Sequence, residues 1–308
     1  MIIDINPLVS VGIPCYNRPE GLRRTLECIT RQTYDKLEII ISDNCSPNQE
    51  IEKIGNEYAQ NDDRIIFIKQ NKNHGALQNF RYLLEKARGD YFMWAADDDL
   101  WDEYFIETLL LEFKKNNNLV AVMTECQYVK NTDLKKTEFF DFFPEGQFFY
   151  NFHSDNPYLR IKHLLKYNYG NLFYSLYKTQ ALHEHNRTFF DLIDNKSMNE
   201  IPLFIYVMQK GNWKVIPKIC FYKRTNENVY IQAKWEKEGG RLPRTHRITS
   251  ISKFLKIYFY HFHALNEIFL VINQLNLSWY EKGKLKFYSF FQIGFSHFIF
   301  ILIGKKIW

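Results

Sequence analysis

The chain has 308 residues, 46% hydrophobic and 24% charged, enough for one large domain with an appendage or two modest ones and too apolar for disorder. Its net charge of +5 falls wholly in residues 251–308, where seven lysines face two acids; the other 250 residues balance at 33 basic and 33 acidic. A neutral body argues against nucleic acid as a partner, whereas a basic, aromatic tail suits an anionic membrane surface at least as well.

The five cysteines, Cys15, Cys28, Cys45, Cys126 and Cys220, are odd in number and show no metal-ligand spacing, as expected of reduced thiols in a cytosolic protein. The first apolar run, Leu8 to Pro14, reads as a buried strand rather than a secretory leader.

In chain order, Leu8–Ile13 predicts a strand, and Pro19 opens a helix to about Gln32 with Leu22, Leu26 and Ile29 on one face. Leu37–Ser42 predicts a second strand, Pro47 to about Ala59 a helix, and Arg64–Lys69 a third strand. A helix follows Asn73 to about Ala87, ended by Gly89. Tyr91–Ala95 is a fourth strand, cut off by Asp97-Asp98-Asp99; a helix from about Glu103 to Lys115 and a strand near Leu119–Thr124 follow. This alternation predicts an α/β fold, a mainly parallel sheet with helices on both faces. Ligands then sit outside the carboxyl ends of the strands, where Asn17, Arg18, Asp43, Asn44 and Asp97 to Asp99 converge.

Residues 130–156 are irregular and Phe-rich, 158–225 mix helix and strand with a helix near Glu200–Gln209, and 226–246 read as a mobile polar segment around Gly239-Gly240. Beyond it, apolar residues from Ile248 to Ile272 recur at threes and fours, as in a helix. Phe287–Ile303 holds no formally charged residue. As a helix it would be about 25 Å long, short of a hydrocarbon core of roughly 30 Å. With Lys284, Lys286, Lys305 and Lys306 around it, it reads either as an interfacial helix or as one packed on the catalytic domain.

Asp97-Asp98-Asp99 carries the strongest chemical signal. Three adjacent carboxylates at the end of an apolar strand repel one another unless a cation or hydrogen-bond donors offset them. They suit a hard ion such as Mg²⁺ or Mn²⁺, or else a solvated helix start. Asp43 is a strand-end turn residue or a ligand contact. In the Pro14-Cys15-Tyr16-Asn17-Arg18 turn, Tyr16 can flank a base and Asn17 hydrogen-bond it. Asn73-His74-Gly75, with Asn79 further along, is a helix cap or the wall of a nucleotide pocket.

Taken together, PCYNRPEGLRRTLECITRQTY, LEIIISDNCS, NHGALQN and ARGDYFMWAADDDLW, in that order, resemble the family 2 glycosyltransferases of the GT-A fold over about residues 8–225. The resemblance implies a catalytic domain over 1–225, with a nucleotide half to about 125 and an acceptor half after it, and a helical region over 247–308. It implies that Pro14, Tyr16, Asn17 and Asp43 line the base pocket, that Arg18, Asn73, Gly75, Asn79 and Asp98 contribute to the donor site, and that Asp97 contacts the ribose side. Asp99 would hold Mn²⁺ or Mg²⁺ against the diphosphate. The family's base belongs to a Glu-Asp pair eleven residues before a Gly. Here Asn199-Glu200 precede Gly211, so Glu200 falls on the base position, with Asp191 and Asp194 as rivals. Gln232-Ala233-Lys234-Trp235 is only faintly similar to the Q-x-x-R-W motif of processive members.

The implied activity is inverting transfer from a nucleotide-diphosphate sugar, a UDP-sugar in expectation, to a saccharide or lipid-linked saccharide hydroxyl. The implied setting is surface polysaccharide, O-antigen or capsule synthesis in the cytoplasm, on the inner face of the plasma membrane. A sugar nucleotidyltransferase and a catalytically silent nucleotide-sugar-binding module are the other two readings.

Overall fold

Two of the apolar runs become the strands β1 (Val9–Cys15) and β2 (Leu37–Asp43), and every residue of both is buried. A strand covered on both faces reads as a continuous apolar run, which is why both stand out in the sequence. In this computed structural model, which describes residues 6–129, 139–140, 151–167, 170–184, 187–191, 200–224 and 251–291, β1 pairs in parallel with β2 and with β4 (Tyr91–Trp94), and β2 with β3 (Ile65–Lys69). Three helices connect these strands: α1 (Pro19–Thr30), α2 (Glu50–Asn61) and α3 (Ala76–Lys86).

The sheet continues through β5 (Leu100–Trp101), the helix α4 (Phe105–Lys115), β6 (Leu119–Val129) and the short β7 (Phe139–Phe140) and β8 (Asn151–Phe152). Then come the helix α5 (Pro157–Tyr167), β9 (Leu176–Lys178), the antiparallel pair β10 (His183–Glu184) and β11 (Arg187–Thr188), the helix α6 (Ile201–Lys210) and β12 (Asn212–Arg224). The strand order is β3-β2-β1-β4-β9-β6-β12-β5. The sheet is mixed: parallel from β3 to β4, antiparallel where β9 meets β4 and β6, and antiparallel where β5 meets β12.

The chain divides into two compact units, each discontinuous in sequence. One comprises Met1–Asn151, Asn171–Thr188 and Trp213–Thr225, the other Phe152–Gly170, Phe189–Asn212 and Asn226–Trp308. Residues 152–170 and 189–212, expected in the acceptor half, therefore group with the C-terminal helices.

In the first unit, α1 fixes the loop after β4. Thr25 Oγ donates to the Ala96 carbonyl at 3.0 Å, and a Cβ on Gly21 would lie 2.0 Å from the Asp97 carbonyl oxygen. Gln32 ties α1 to the start of α4: its Nε2 donates to the Asp102 carbonyl at 2.7 Å and its Oε1 accepts from the Ile106 N–H at 3.0 Å, an amide the helix itself leaves unpaired. Gly21→Ala gains roughly 1 kcal/mol of helix propensity, but the clash is with backbone, which moves only with the strand behind it. A net loss of about 1–3 kcal/mol is expected, read as a lower midpoint in thermal unfolding; an unchanged midpoint would show that α1 is not wedged against this loop.

In the second unit, α6 is buried along Ile201 to Met208. Its carboxyl end is satisfied by Arg160 of α5, whose Nε donates to the Met208 carbonyl at 2.7 Å and whose Nη2 donates to that of Gln209 at 3.2 Å. The helices α7 (Ile251–Gln274) and α8 (Trp279–Ser289) complete this unit, α7 packing on α6 and α8, and α8 on α5. Ser278 begins α8 with a reciprocal cap: its Oγ accepts from the Glu281 N–H at 3.3 Å, and Glu281 accepts from the Ser278 N–H at 3.0 Å. Among the described residues no helix is long and apolar enough to cross a membrane. Segment 226–246 with Gln232–Trp235, most of 130–156, Asp194 and all but the first five residues of Phe287–Ile303 lie outside the described residues.

Candidate active site

The carboxyl ends of β1, β2 and β4 border a cleft of about 470 Å³ in the first unit. Pro14, Tyr16, Arg18, Asn73, Gly75, Asn79, Asp97 and Asp98 all line it, together with Asn44, one of the converging strand-end residues, and Tyr174, which no sequence motif pointed to. Asn17, Asp43 and Asp99 do not line it; they shape its walls.

Asn17 has φ +56° and Cys45 φ +61°, the left-handed region, at the turns that leave β1 and β2. Such strain persists only where the surroundings hold it. Here the Asn17 N–H donates to Ser46 Oγ at 2.8 Å, and Ser46 is fixed by Asp43, whose Oδ1 accepts from the Ser46 N–H at 3.0 Å and from its hydroxyl at 2.5 Å. The two turns are thus joined through one buried carboxylate.

The opposite wall rests on amides. Asn79 Nδ2 donates to the Ser42 carbonyl at 3.0 Å, while its Oδ1 accepts from Ser42 Oγ at 2.5 Å, pinning α3 to the end of β2. Asn44 Nδ2 donates to Asn73 Oδ1 at 3.0 Å, and Asn44 Oδ1 accepts from the His74 N–H at 2.9 Å. Asn73 Oδ1 also accepts from the Gly75 N–H at 2.8 Å, in a turn where Gly75 has φ +85°, which only glycine adopts freely.

The three aspartates have different surroundings. Arg18 Nη1 donates to Asp97 Oδ1 at 3.0 Å and to Asp98 Oδ2 at 2.8 Å, so one guanidinium answers two carboxylates. Burial nevertheless pushes the Asp97 carboxyl up to about 6, against the pull of Arg18; Asp98 adds to the rise, and a Tyr16 N–H bond counters it. Asp99 is more deeply buried, and burial carries its carboxyl up to about 7 despite Lys223 and the Arg224 N–H, which donates to Oδ1 at 3.0 Å. Asp99 Oδ2 has no hydrogen-bond partner among the described residues. A buried carboxylate oxygen without a donor is costly unless a cation meets it.

Among the described residues no three His, Cys, Asp or Glu side chains are grouped to hold a metal. A hard divalent ion bound through one or two carboxylates and completed by phosphate oxygens still fits this donor set, and Asp99 offers an oxygen without a donor.

The candidate bases belong to the second unit. Glu200 is half-buried and immediately precedes α6, its carbonyl accepting the Phe204 N–H at 3.2 Å. Asp191 is exposed and ends a short 3₁₀ turn.

Residues 10–189 match the family described as Glycosyl transferase family 2. Glycosyltransferase GlyA of Streptococcus pneumoniae serotype 4 is 27% identical over 182 residues, covering 59% of this chain and 23% of GlyA. The GalNAc(5)-diNAcBac-PP-undecaprenol beta-1,3-glucosyltransferase of Campylobacter jejuni is 27% identical over 196 residues, 58% of this chain and 62% of that one. The chain thus matches less than two thirds of the length of these relatives. The structure of S. aureus TarS 1-349 with UDP-GlcNAc superposes with a TM-score of 0.60 at 15% identity, over 95% of this chain and 71% of that one. Mannosyltransferase PcManGT from Pyrobaculum calidifontis, with GDP-Man and Mn²⁺, gives 0.52 at 12% identity over 96% of this chain and 73% of that one. At these identities the two structures establish a shared fold, the GT-A architecture the motifs implied.

Proposed function

The chain belongs to glycosyl transferase family 2, and on that premise we propose that it moves a sugar from a nucleoside-diphosphate donor, a UDP-sugar, to an acceptor hydroxyl during surface-polysaccharide synthesis, with inversion at the anomeric carbon. The observation that carries this reading is the cleft itself: it is lined by the amides of Asn44, Asn73 and Asn79 and by the acidic Asp97-Asp98 loop, behind which Asp99 holds a buried oxygen without a donor. The nucleotide sugars in the TarS and PcManGT structures, and the Mn²⁺ in the latter, support it.

In this reading Tyr16 flanks the base, Asn73 and Gly75 form its wall, and Asp97 meets the ribose. Arg18 holds Asp97 and Asp98 against their mutual repulsion. A divalent cation held by Asp99, with Asp98 nearby, supplies charge stabilisation to the departing diphosphate when bound. Glu200 takes the proton from the acceptor hydroxyl as its oxygen attacks the anomeric carbon; Asp191 and Asp194 are the alternative carboxylates. The acceptor is a saccharide or lipid-linked saccharide, and contact with the inner face of the membrane through 247–308 belongs to the same proposal.

A panel of nucleotide sugars, each with Mn²⁺ and with chelator, tests this by thermal unfolding. A donor at about a hundred times its Kd stabilises by about 2.7 kcal/mol, a shift of several degrees. Metal-dependent stabilisation by at least one nucleotide sugar is expected; none across UDP, GDP and other sugar nucleotides would overturn the proposal.

The wall can be tested separately. Asn44→Ala removes the two bonds from Asn44 to Asn73 and His74. Affinity for the nucleoside diphosphate is expected to fall on the order of tenfold, measured by calorimetric titration with UDP and GDP. Unchanged affinity for both would remove this turn from the binding site.

A further inference from the structure

The second unit carries a surface that includes none of the residues assigned to the site above. Between α5 and α8 lies an open pocket of about 380 Å³, with Tyr158 and Lys162 on α5 and Trp279, Tyr280, Lys284 and Phe287 on α8 among its lining. Its aromatic side chains face solvent to an unusual degree: Trp279 is 87% exposed, Phe287 65% and Tyr280 61%. Tyr280, Lys284 and Phe287 recur at helical spacing along α8, whereas Leu285 and Ser289, on its opposite side, are buried. Contiguous exposed apolar side chains on a folded unit mark a binding surface rather than a stability device.

The charges decide what binds there. Lys284 on α8 and Lys162 on α5 line the pocket, whereas Lys282 donates to the Asn273 carbonyl and Lys286 lies over the Phe269 ring, both on α7. The helix α5 has no acid, and the one acid of α8, Glu281, is engaged in the cap of its own helix. The lysines keep close to rings: Lys284 Nζ lies 4.1 Å from the Tyr280 centroid, and Lys162 Nζ 5.5 Å from that of Tyr288. Residues 292–308, which follow this helix, contain no acid in sequence. Apart from Gly283 the rest of the lining is aromatic, and it lacks the carboxylates and amides that bind neutral sugars through hydrogen bonds. Lysines beside Trp, Tyr and Phe on one helix face match the headgroup layer of an anionic bilayer, where amphipathic rings sit at the interface and cations meet lipid phosphates.

We propose that the α5–α8 face is a peripheral contact for anionic phospholipid, with a headgroup phosphate between Lys162 and Lys284 and Trp279, Tyr280 and Phe287 at the headgroup level. It deepens the membrane part of the reading above by assigning the contact to one face, to which α5 contributes Tyr158 and Lys162. It would bring the enzyme to the surface where a lipid-linked acceptor resides.

The experiment is flotation of the full chain with vesicles of phosphatidylcholine alone, or of phosphatidylcholine and phosphatidylglycerol in equal parts, at low salt. The chain is expected to float only with the phosphatidylglycerol vesicles. Lys284→Glu is expected to lower partition by at least roughly fivefold, and Trp279→Ala with Phe287→Ala by at least about tenfold. These side chains are exposed, so the variants should keep the parental unfolding midpoint and the parental hydrolysis of a soluble donor; that second measurement separates failure of this proposal from failure of the transfer reading. Three results would overturn the lipid assignment: no flotation, equal flotation with both vesicles, or equal flotation of the variants. A dimer in solution that Trp279→Ala dissolves, without flotation, would give the face to a second copy of the chain instead.

Discussion

Asp99→Asn is expected to lower sugar transfer by on the order of 10³-fold, the scale of removing a principal charge-stabilising group, and to abolish the metal dependence of donor binding. The substitution is nearly isosteric, and its amide oxygen can still accept the Arg224 N–H now bound to Oδ1, so the fold should survive. Stability gives an independent check of sign. Burial raises the Asp99 carboxyl from 3.8 to about 7. Between those values the metal-free native state holds a proton that the unfolded state has released, so stability falls as pH rises through the window and the penalty is complete above about 7. Asp99→Asn lacks this penalty. Without metal it should therefore be more stable than the wild type at about pH 8 and close to it at about pH 4, as read by denaturant unfolding. Full transfer by this variant would remove Asp99 from the metal role; a stability difference between variant and wild type that does not widen with rising pH across that window would contradict its buried, unpartnered state.

Glu200→Gln is expected to lower turnover by about 10²–10⁴-fold, the usual contribution of a positioned base, while donor affinity stays within about twofold. The change keeps size and polarity and removes only the proton acceptor. Single-turnover transfer measured beside donor titration separates the two effects. If Asp191→Asn or Asp194→Asn produces the loss and Glu200→Gln does not, the base belongs to that other carboxylate.

The half of the fold that carries the cleft was legible because β1, β2 and nearly all of β4 are buried and its loops are short. The runs at Val9–Cys15, Leu37–Asp43 and Tyr91–Trp94 announce themselves, and the polar residues that stop them are the residues at the cleft. What escaped depends on partners distant in sequence. Leu100–Trp101 is a strand only because Phe221 and Tyr222 lie beside it; two residues show no periodicity. Asn44 stands with Asp43 at a strand end in the sequence, but its bonds to Asn73 and His74, some thirty residues away, exist only in the fold. The sequence puts 152–170 and 189–212 next to the sheet strands, whereas packing groups them with the C-terminal helices, a discontinuity that no linear pattern records. The break between α7 and α8 did have a signal: Ser278-Trp279-Tyr280-Glu281 is a capping-box pattern, masked in a reading by apolar periodicity because aromatic residues run through it.

The central claim is cleavage between the sugar and the diphosphate, and phosphorus NMR of a nucleotide-sugar reaction with the full chain and Mn²⁺ reports it directly. Release of a nucleoside diphosphate from at least one donor, halted by chelator and by Asp99→Asn, is the predicted result. Pyrophosphate exchange or release of a sugar 1-phosphate would point to nucleotidyl transfer, and donors that bind yet stay intact with every acceptor tried would mark a silent binding module; either would contradict the account.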